Sequence, residues 1–370
     1  MNHLNCLPQD AVLWGENILA GALPQLAQQG IDRPMLFSVA PLEALARQHV
    51  EPHLAAIAGR VLDLPAHVPD VAVNAALEAC LRADARAIVG LGGGSVLDAA
   101  KAVSHLHHQR TGRHLPIVAL PTTLSGSEFS HYFGITETTG AQKFKRSYAV
   151  RETTPKRVLI DPVLVRDTPR ALLLSSAIKG IDHAVEGMRK VTPSHPHAIM
   201  AASGVERFFR VLQKWPAKVE TRQALEAGLV SDADLLQLQL GAWQCYFSPA
   251  SVIYGLSHRI GHILGGSFGL PHSATSCITL APVIRACAAF YGDKLEALSP
   301  GGAGAAERLA DRIEGVVQAL GLPSRVGDFD LDRAKLPEVS ALLTHNYPEE
   351  VADLGADASA RLDALLERLW

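Results

Sequence analysis

Ala87-Ile-Val-Gly-Leu-Gly-Gly-Gly-Ser-Val-Leu-Asp-Ala-Ala-Lys-Ala-Val103 reads as a strand, a glycine turn and a helix in succession. Ala87–Leu91 is apolar throughout rather than alternating, the pattern of a strand covered on both faces in a parallel sheet. Gly92-Gly-Gly-Ser95 closes it, and a helix opens at about Val96 and runs through Asp98 to Val103. Glycines there carry no Cβ, so a pyrophosphate can come close to the backbone. The helix start adds unpaired N–H groups and the positive end of its dipole, and Ser95 is expected to supply an N-cap hydroxyl. The turn is neither GxGxxG nor a Walker loop, and a tight turn from strand to helix needs glycine for structural reasons too. Both readings stay open on these residues.

The flanks repeat the alternation. Pro34–Val39 reads as a strand followed by a helix from Pro41 to about His49, Arg60–Leu64 as a strand, Val71–Arg82 as a helix, and Leu115–Leu120 as a strand closed by Pro121. Short apolar strands alternating with helices imply a parallel sheet with crossover helices. Leu120-Pro-Thr-Thr-Leu-Ser-Gly-Ser-Glu128 then sets a row of hydroxyls after a strand end. It is either a polar loop with a helix cap or the second wall of a nucleotide site at the carboxyl edge of the sheet. Two such loops at adjacent strand ends favour nucleotide binding, with Gly92, Gly93, Gly94, Ser95, Asp98, Thr122, Thr123, Leu124 and Ser127 as the contacts. Asp98 and Lys101 leave two readings, cofactor contacts or ordinary surface charges.

From about Pro169 onward the periodicity becomes helical, as in Leu172–Lys190, Ala198–Leu212 and Ala305–Leu320, with almost no strand-like alternation. The change near Asp161-Pro162 divides the 370 residues into an α/β nucleotide-binding domain, 1–162, and an all-helical catalytic domain, 163–370. Lys+Arg of 34 against Asp+Glu of 37 gives a net charge of −3, which argues against a nucleic-acid binder or a polybasic membrane anchor. The 48% apolar and 19% charged residues are those of a packed chain. No stretch approaches the ~18 apolar residues of a membrane span, and no signal peptide is visible at the start. Five cysteines without CxxC spacing point to reduced thiols and a cytoplasmic setting. Cys277 reads as a core residue. Sixteen histidines against four methionines are more than a generic core needs.

The histidines fall into recognisable company. His67-Val-Pro69, Gly92–Ser95 with Asp98 and Lys101, Leu120–Glu128, Asp161-Pro162, His183-Ala-Val-Glu186, Ser257-His-Arg-Ile-Gly-His-Ile-Leu-Gly-Gly266 and Leu270-Pro-His272 stand in this order along nearly the whole chain. Together they resemble the iron-containing (group III) alcohol dehydrogenase family, and within it the maleylacetate reductases. The resemblance implies a Rossmann-like N-terminal domain plus an all-α C-terminal domain, the architecture shared with dehydroquinate synthase. It also implies an active site in the cleft between them, NADH or NADPH as cofactor, and a homodimer. In that family an Asp and three His bind a divalent metal. The histidines map to His183, His258 and His272, and a further one near the nicotinamide to His262. His258 and His262 are i and i+4 and share a helix face.

One position departs. The family's Asp lies four residues before the first His, and here that residue is Lys179. A protonated lysine cannot coordinate. Asp182 is adjacent to His183, but one residue is about 100° around a helix, so Asp182 is expected to point away. Iron or zinc is then either lost or weakly held by His183, His258, His272 and water, and the charge at Lys179 favours loss. Lys179 can instead supply the positive charge a metal would bring. Maleylacetate reductases commonly depart from the Asp at this position. Their substrate is a conjugated oxo-diacid met in the breakdown of aromatic compounds, and its carboxylates need cations. Lys179, Arg259 and Lys143 are candidates, although Arg259 reads equally as a solvated helix face. The expected activity is hydride transfer from NAD(P)H to a small, carboxylate-bearing oxo acid, with Lys179, His183, His258, His262 and His272 around the reacting atom. The alternative is a non-redox lyase or a repurposed homologue.

Overall fold

The structure, a computed structural model, describes residues 6–65, 68–138, 144–246 and 254–370. His67 and Lys143 lie outside the described residues. The chain divides into two compact units.

The first unit comprises the chain as far as Thr168 together with Ser231–Gln239. Its centre is a six-stranded, wholly parallel sheet in the order β1-β8-β5-β4-β2-β3. The strands are β1 (Ala11–Trp14), β2 (Pro34–Phe37), β3 (Gly59–Val61), β4 (Ala87–Gly92), β5 (Ile117–Pro121) and β8 (Arg157–Ile160). The apolar run of β4 is explained by its two faces. Ala87, Val89 and Leu91 pack with Leu36, Val118 and Leu120 against the segments carrying Leu19, Leu23 and Leu45. Ile88 packs with Met35, Phe37 and Ile117 against the helices Asp70–Arg82 and Gly94–Thr111. A strand buried on both sides has no polar face to alternate with.

Strands β2–β5 fall where the sequence pattern puts them. The edge strand β1 and its neighbour β8, and an antiparallel hairpin of β6 (Tyr132–Glu137) and β7 (Phe144–Ala149), do not announce themselves in the pattern. Phe133 faces Tyr148 across the hairpin, their rings stacked 5.2 Å apart.

The order of strands locates the nucleotide loops. From β2 the chain passes to β3 on one side, and then to β4 on the other. The sheet's order therefore reverses between β2 and β4, the point outside which ligands bind open α/β sheets. The glycine turn leaves β4 there, and Gly92 is in register with Pro121 of β5, so the two polar loops start side by side.

In the second unit, Pro169–Val230 and Leu240 onward, the described elements are all helical. The helix Arg170–Gly187 is its axis, with every residue buried except Ala171 and Leu172. It packs against the helices Pro196–Leu212 and His272–Ala286, and the latter packs on Leu256–Phe268. Close approach is bought with glycine: a Cβ on Gly180 would stand 2.6 Å from the Phe208 ring, and one on Gly261 2.6 Å from Thr275 Oγ1. Among the described residues no single helix is long and apolar enough to cross a membrane.

Candidate functional site

In the first unit the glycine turn is shaped by its neighbours rather than by unusual torsions. Gly93 is the N-cap residue in an extended conformation, and the helix begins at Gly94. Ser95 is therefore inside the first turn and is not the N-cap residue that the sequence suggested. A Cβ on Gly93 would lie 2.9 Å from Thr123 Cγ2, and one on Gly94 3.2 Å from Ser125 Oγ. The hydroxyl loop is thus laid directly over the glycines, and Thr122 N donates to Gly92 O at 3.1 Å.

Lys101 holds this arrangement from below. It is fully buried, and its Nζ donates to the carbonyls of Ser127 at 2.9 Å and Tyr132 at 2.6 Å, with Asp98 Oδ1 3.3 Å away. The surface-charge reading of Lys101 does not hold: it is an internal clamp. Asp98 accepts a 2.6 Å hydrogen bond from Ser127 Oγ, tying helix to loop. Thr123 Oγ1 and Ser125 Oγ are buried and bond to no described residue. Two orphaned hydroxyls over a glycine-lined helix start suit the oxygens of a pyrophosphate. Asp161 accepts from Val163 N at 3.1 Å and Ile18 N at 2.8 Å, a structural tie.

The second unit holds the histidines. Positions 179, 182, 183 and 186 of the helix Arg170–Gly187 share one face by the i, i+3, i+4, i+7 rule. His258 and His262 share a face of Leu256–Phe268. That helix ends on Gly269 in the left-handed region, with Gly269 N bonded to Gly265 O and Leu270 N to Leu264 O. This Schellman-type turn carries the chain back, so His272, the first residue of the next helix, lies 5.4 Å from the His262 ring and 5.2 Å from that of His258. His183 is 4.7 Å from His258. The five candidate catalytic residues are thus all in this unit.

The ligand atoms form two groups, each within 4.8 Å: His258 with His262 and His272, and His183 with Glu186 and His258. Glu186 is the site residue the sequence reading missed, although its place three residues after His183 on a buried helix was the available signal. Its Oε1 accepts from His258 N at 2.8 Å, and its Oε2 stands 3.8 Å from His258 Nδ1. Tyr246 lies against His183 at 4.3 Å, and Tyr254 against His258 at 4.3 Å. Arg259, read as a substrate cation or a solvated face, is paired with Glu350 at 2.8 Å and stacked on Tyr254 and Tyr347.

Lys179 is buried at the foot of this group. Its Nζ makes a 3.6 Å ion pair with Asp182 Oδ2 and no hydrogen bond to a described residue. Asp182 joins neither histidine group; its Oδ2 accepts from Ser276 Oγ at 2.5 Å and Ser257 Oγ at 3.1 Å. Burial holds His183 and His258 well below the ordinary imidazole range, and the Lys179 charge pushes both further down. Both rings are therefore neutral at pH 7. Burial pushes Glu186 well above the usual carboxylate range, and Asp182 adds to it. Burial draws Lys179 below the ordinary lysine range and pushes Asp182 above the usual carboxylate range, each opposed by the charge of the other. Cys277 is buried and raised to about 12, a core thiol.

Residues 9–162 match the family described as iron-containing alcohol dehydrogenase. A maleylacetate reductase from Pseudomonas aeruginosa is 32% identical over 280 residues, 76% of this chain and 74% of that protein. Among solved structures, the maleylacetate reductase of Rhizobium sp. strain MTP-10005 superposes with a TM-score of 0.82 at 23% identity, over 100% of this chain and 99% of that one. A sulfoacetaldehyde reductase from Bifidobacterium kashiwanohense, solved with NAD+, gives 0.80 at 18% identity, over 100% of this chain and 99% of that one. The chain belongs to the iron-containing alcohol dehydrogenase family and, within it, stands with the maleylacetate reductases.

Proposed function

We propose that this chain is an NAD(P)H-dependent reductase of the maleylacetate reductase type, transferring hydride to a small conjugated oxo acid, with Lys179 in place of a metal ion. The observation that carries the reading is Lys179, buried one turn before His183 on the same helix face, with Asp182 as its ion-pair partner and no hydrogen bond to a described residue.

The residues present do not fit a divalent ion on the family's pattern. The fourth ligand position holds a cation whose field reaches both His183 and His258, and among the described residues His183 and His272 fall into different groups. The first unit does fit a dinucleotide: the glycine turn, the start of the helix Gly94–Thr111 and the Thr123 and Ser125 hydroxyls would hold its phosphates. When bound, NAD(P)H supplies the hydride.

In the reduction, hydride adds to the alkene carbon β to the oxo group. The alkene electron pair moves toward the oxo oxygen as negative charge. A cation preorganised in a water-poor site stabilises such charge more than it does the neutral ground state, and Lys179 is that cation. The α-carbon then takes a proton. His262 and His272, the two less buried imidazoles, are placed to bring it from solvent. His183 and His258, kept neutral, orient the substrate by hydrogen bonding. The non-redox lyase reading is not favoured, since the Pseudomonas aeruginosa relative is a reductase. The reading extends to a cytoplasmic homodimer acting in aromatic-compound breakdown.

Purified chain mixed with maleylacetate and NADH or NADPH should consume the cofactor, followed by loss of the reduced-nicotinamide absorbance. Lys179→Met should lower kcat by about 100-fold or more, the scale of losing one charge-stabilising donor, with the Kd for the cofactor unchanged. Absence of turnover with either cofactor overturns the reading.

A further inference from the structure

We infer that Lys179 and Asp182 form a buried ion pair kept for function rather than for folding, in which Asp182, held by Ser276 and Ser257, is the positioning residue that aims the Lys179 ammonium. The inference rests on the role proposed for Lys179.

A lysine side chain turns about four bonds, and a catalytic cation is useful only in one place. The described surroundings of Lys179 fix it through Asp182, one turn along the same helix, at 3.6 Å. Asp182 cannot swing, because its Oδ2 takes hydroxyls from two other helices: Ser276 on His272–Ala286 and Ser257 on Leu256–Phe268. Ser257 Oγ, whose proton goes to Asp182, accepts in turn from Thr279 Oγ1 at 2.8 Å. The carboxylate thus ties three helices at one point, and Asp182 and Ser257 directly precede His183 and His258 in the chain.

The long ion-pair distance matters. A pair optimised for stability closes to hydrogen-bonding distance with its remaining lone pairs satisfied. Here Lys179 Nζ donates no hydrogen bond and Asp182 Oδ1 receives none from the described residues. The ammonium is restrained on one side and keeps its donors for something else. Replacing a buried pair by apolar or neutral groups of similar shape often leaves a protein as stable or more so, whereas removing one partner is strongly destabilising. Retention of an imperfect pair therefore points to the reaction.

The test is a cycle of Lys179→Met, Asp182→Asn and the double variant, read by Tm and by kcat. The expected result is that each single change lowers Tm by several degrees and the double variant recovers it. Activity should stay lost, with Asp182→Asn lowering kcat at unchanged cofactor KM, and the double variant no slower than Lys179→Met. Ser276→Ala should lower kcat by a smaller factor in the same direction. The inference is overturned if Asp182→Asn turns over at the wild-type rate, if the kcat losses multiply in the double variant, or if the Tm losses add. If the wild type does not oxidise NAD(P)H with maleylacetate, the reaction assigned to Lys179 fails. The Tm arm then still reads whether the pair is coupled, so the two failures are distinct.

Discussion

Glu128 closes the Thr122–Ser127 loop with its carboxyl wholly buried and Oε2 bonded to no described residue. Burial raises it from the usual 4.5 to about 7. Between these values the unfolded chain gives up the proton while the folded chain keeps it, so folded stability falls as pH rises through this window and is level above it. The shift corresponds to about 3 kcal/mol at its full extent. Glu128→Gln should therefore gain Tm relative to the wild type as pH goes from 5 to 8, with the two close together at the acid end. A constant difference across that range would show that Glu128 ionises normally. At this scale the sequence was a partial guide. Lys179 was legible because the family resemblance marks the position four residues before His183, one helix turn away. Lys101 was not, because nothing in a polar residue after a glycine turn says that the hairpin Tyr132–Ala149 will bury it. Asp182 was expected to point away from His183; it shares that residue's helix face but joins neither histidine group, and its partners Ser257 and Ser276 lie 75 and 94 residues downstream.

Elements were readable in proportion to how completely they are buried. Strands β2, β4 and β5 are buried along their whole length and left apolar runs. β1 and β8 are four residues each, too short for a period to register, and β1 is half-exposed at the sheet edge. Helix contacts carry the next two predictions. Phe208 occupies the space left by Gly180 and Gly241, whose Cβ atoms would come within 2.6 and 3.3 Å of its ring. Gly180→Ala should cost about 1–3 kcal/mol by overpacking, and Phe208→Leu in the same chain should recover part of it, as a urea midpoint would show. In the nucleotide unit, Gly93→Ala drives a methyl into Thr123. It should raise the NADH Kd by about tenfold, near 1.4 kcal/mol, while Tm changes little. A large fall in Tm with unaltered NADH affinity would make the glycine turn structural only.

For the whole molecule, the charge carried by one helix decides whether turnover needs a metal. Lys179 and Asp182, buried on one helix, form an ion pair beside the histidines of the second unit. A divalent ion added beside the Lys179 ammonium meets a like charge in a poorly solvated place, where repulsion is weakly screened. The same site with the charge reversed would attract it. Purified wild type should therefore carry no stoichiometric iron or zinc, and treatment with a chelator should leave its rate unchanged. The variant Lys179→Asp combined with Asp182→Asn restores an acid four residues before His183 without adding a second new charge. It should be less stable than wild type when free of metal and should gain Tm on addition of Zn2+. Binding to the folded state alone contributes about 2.7 kcal/mol at a metal concentration of 100 times Kd. Wild-type Tm should not move under the same addition. A Zn2+-dependent rise in the wild type, equal to that of the variant, would show that the lysine yields its place and that the metal, not the ammonium, polarises the substrate.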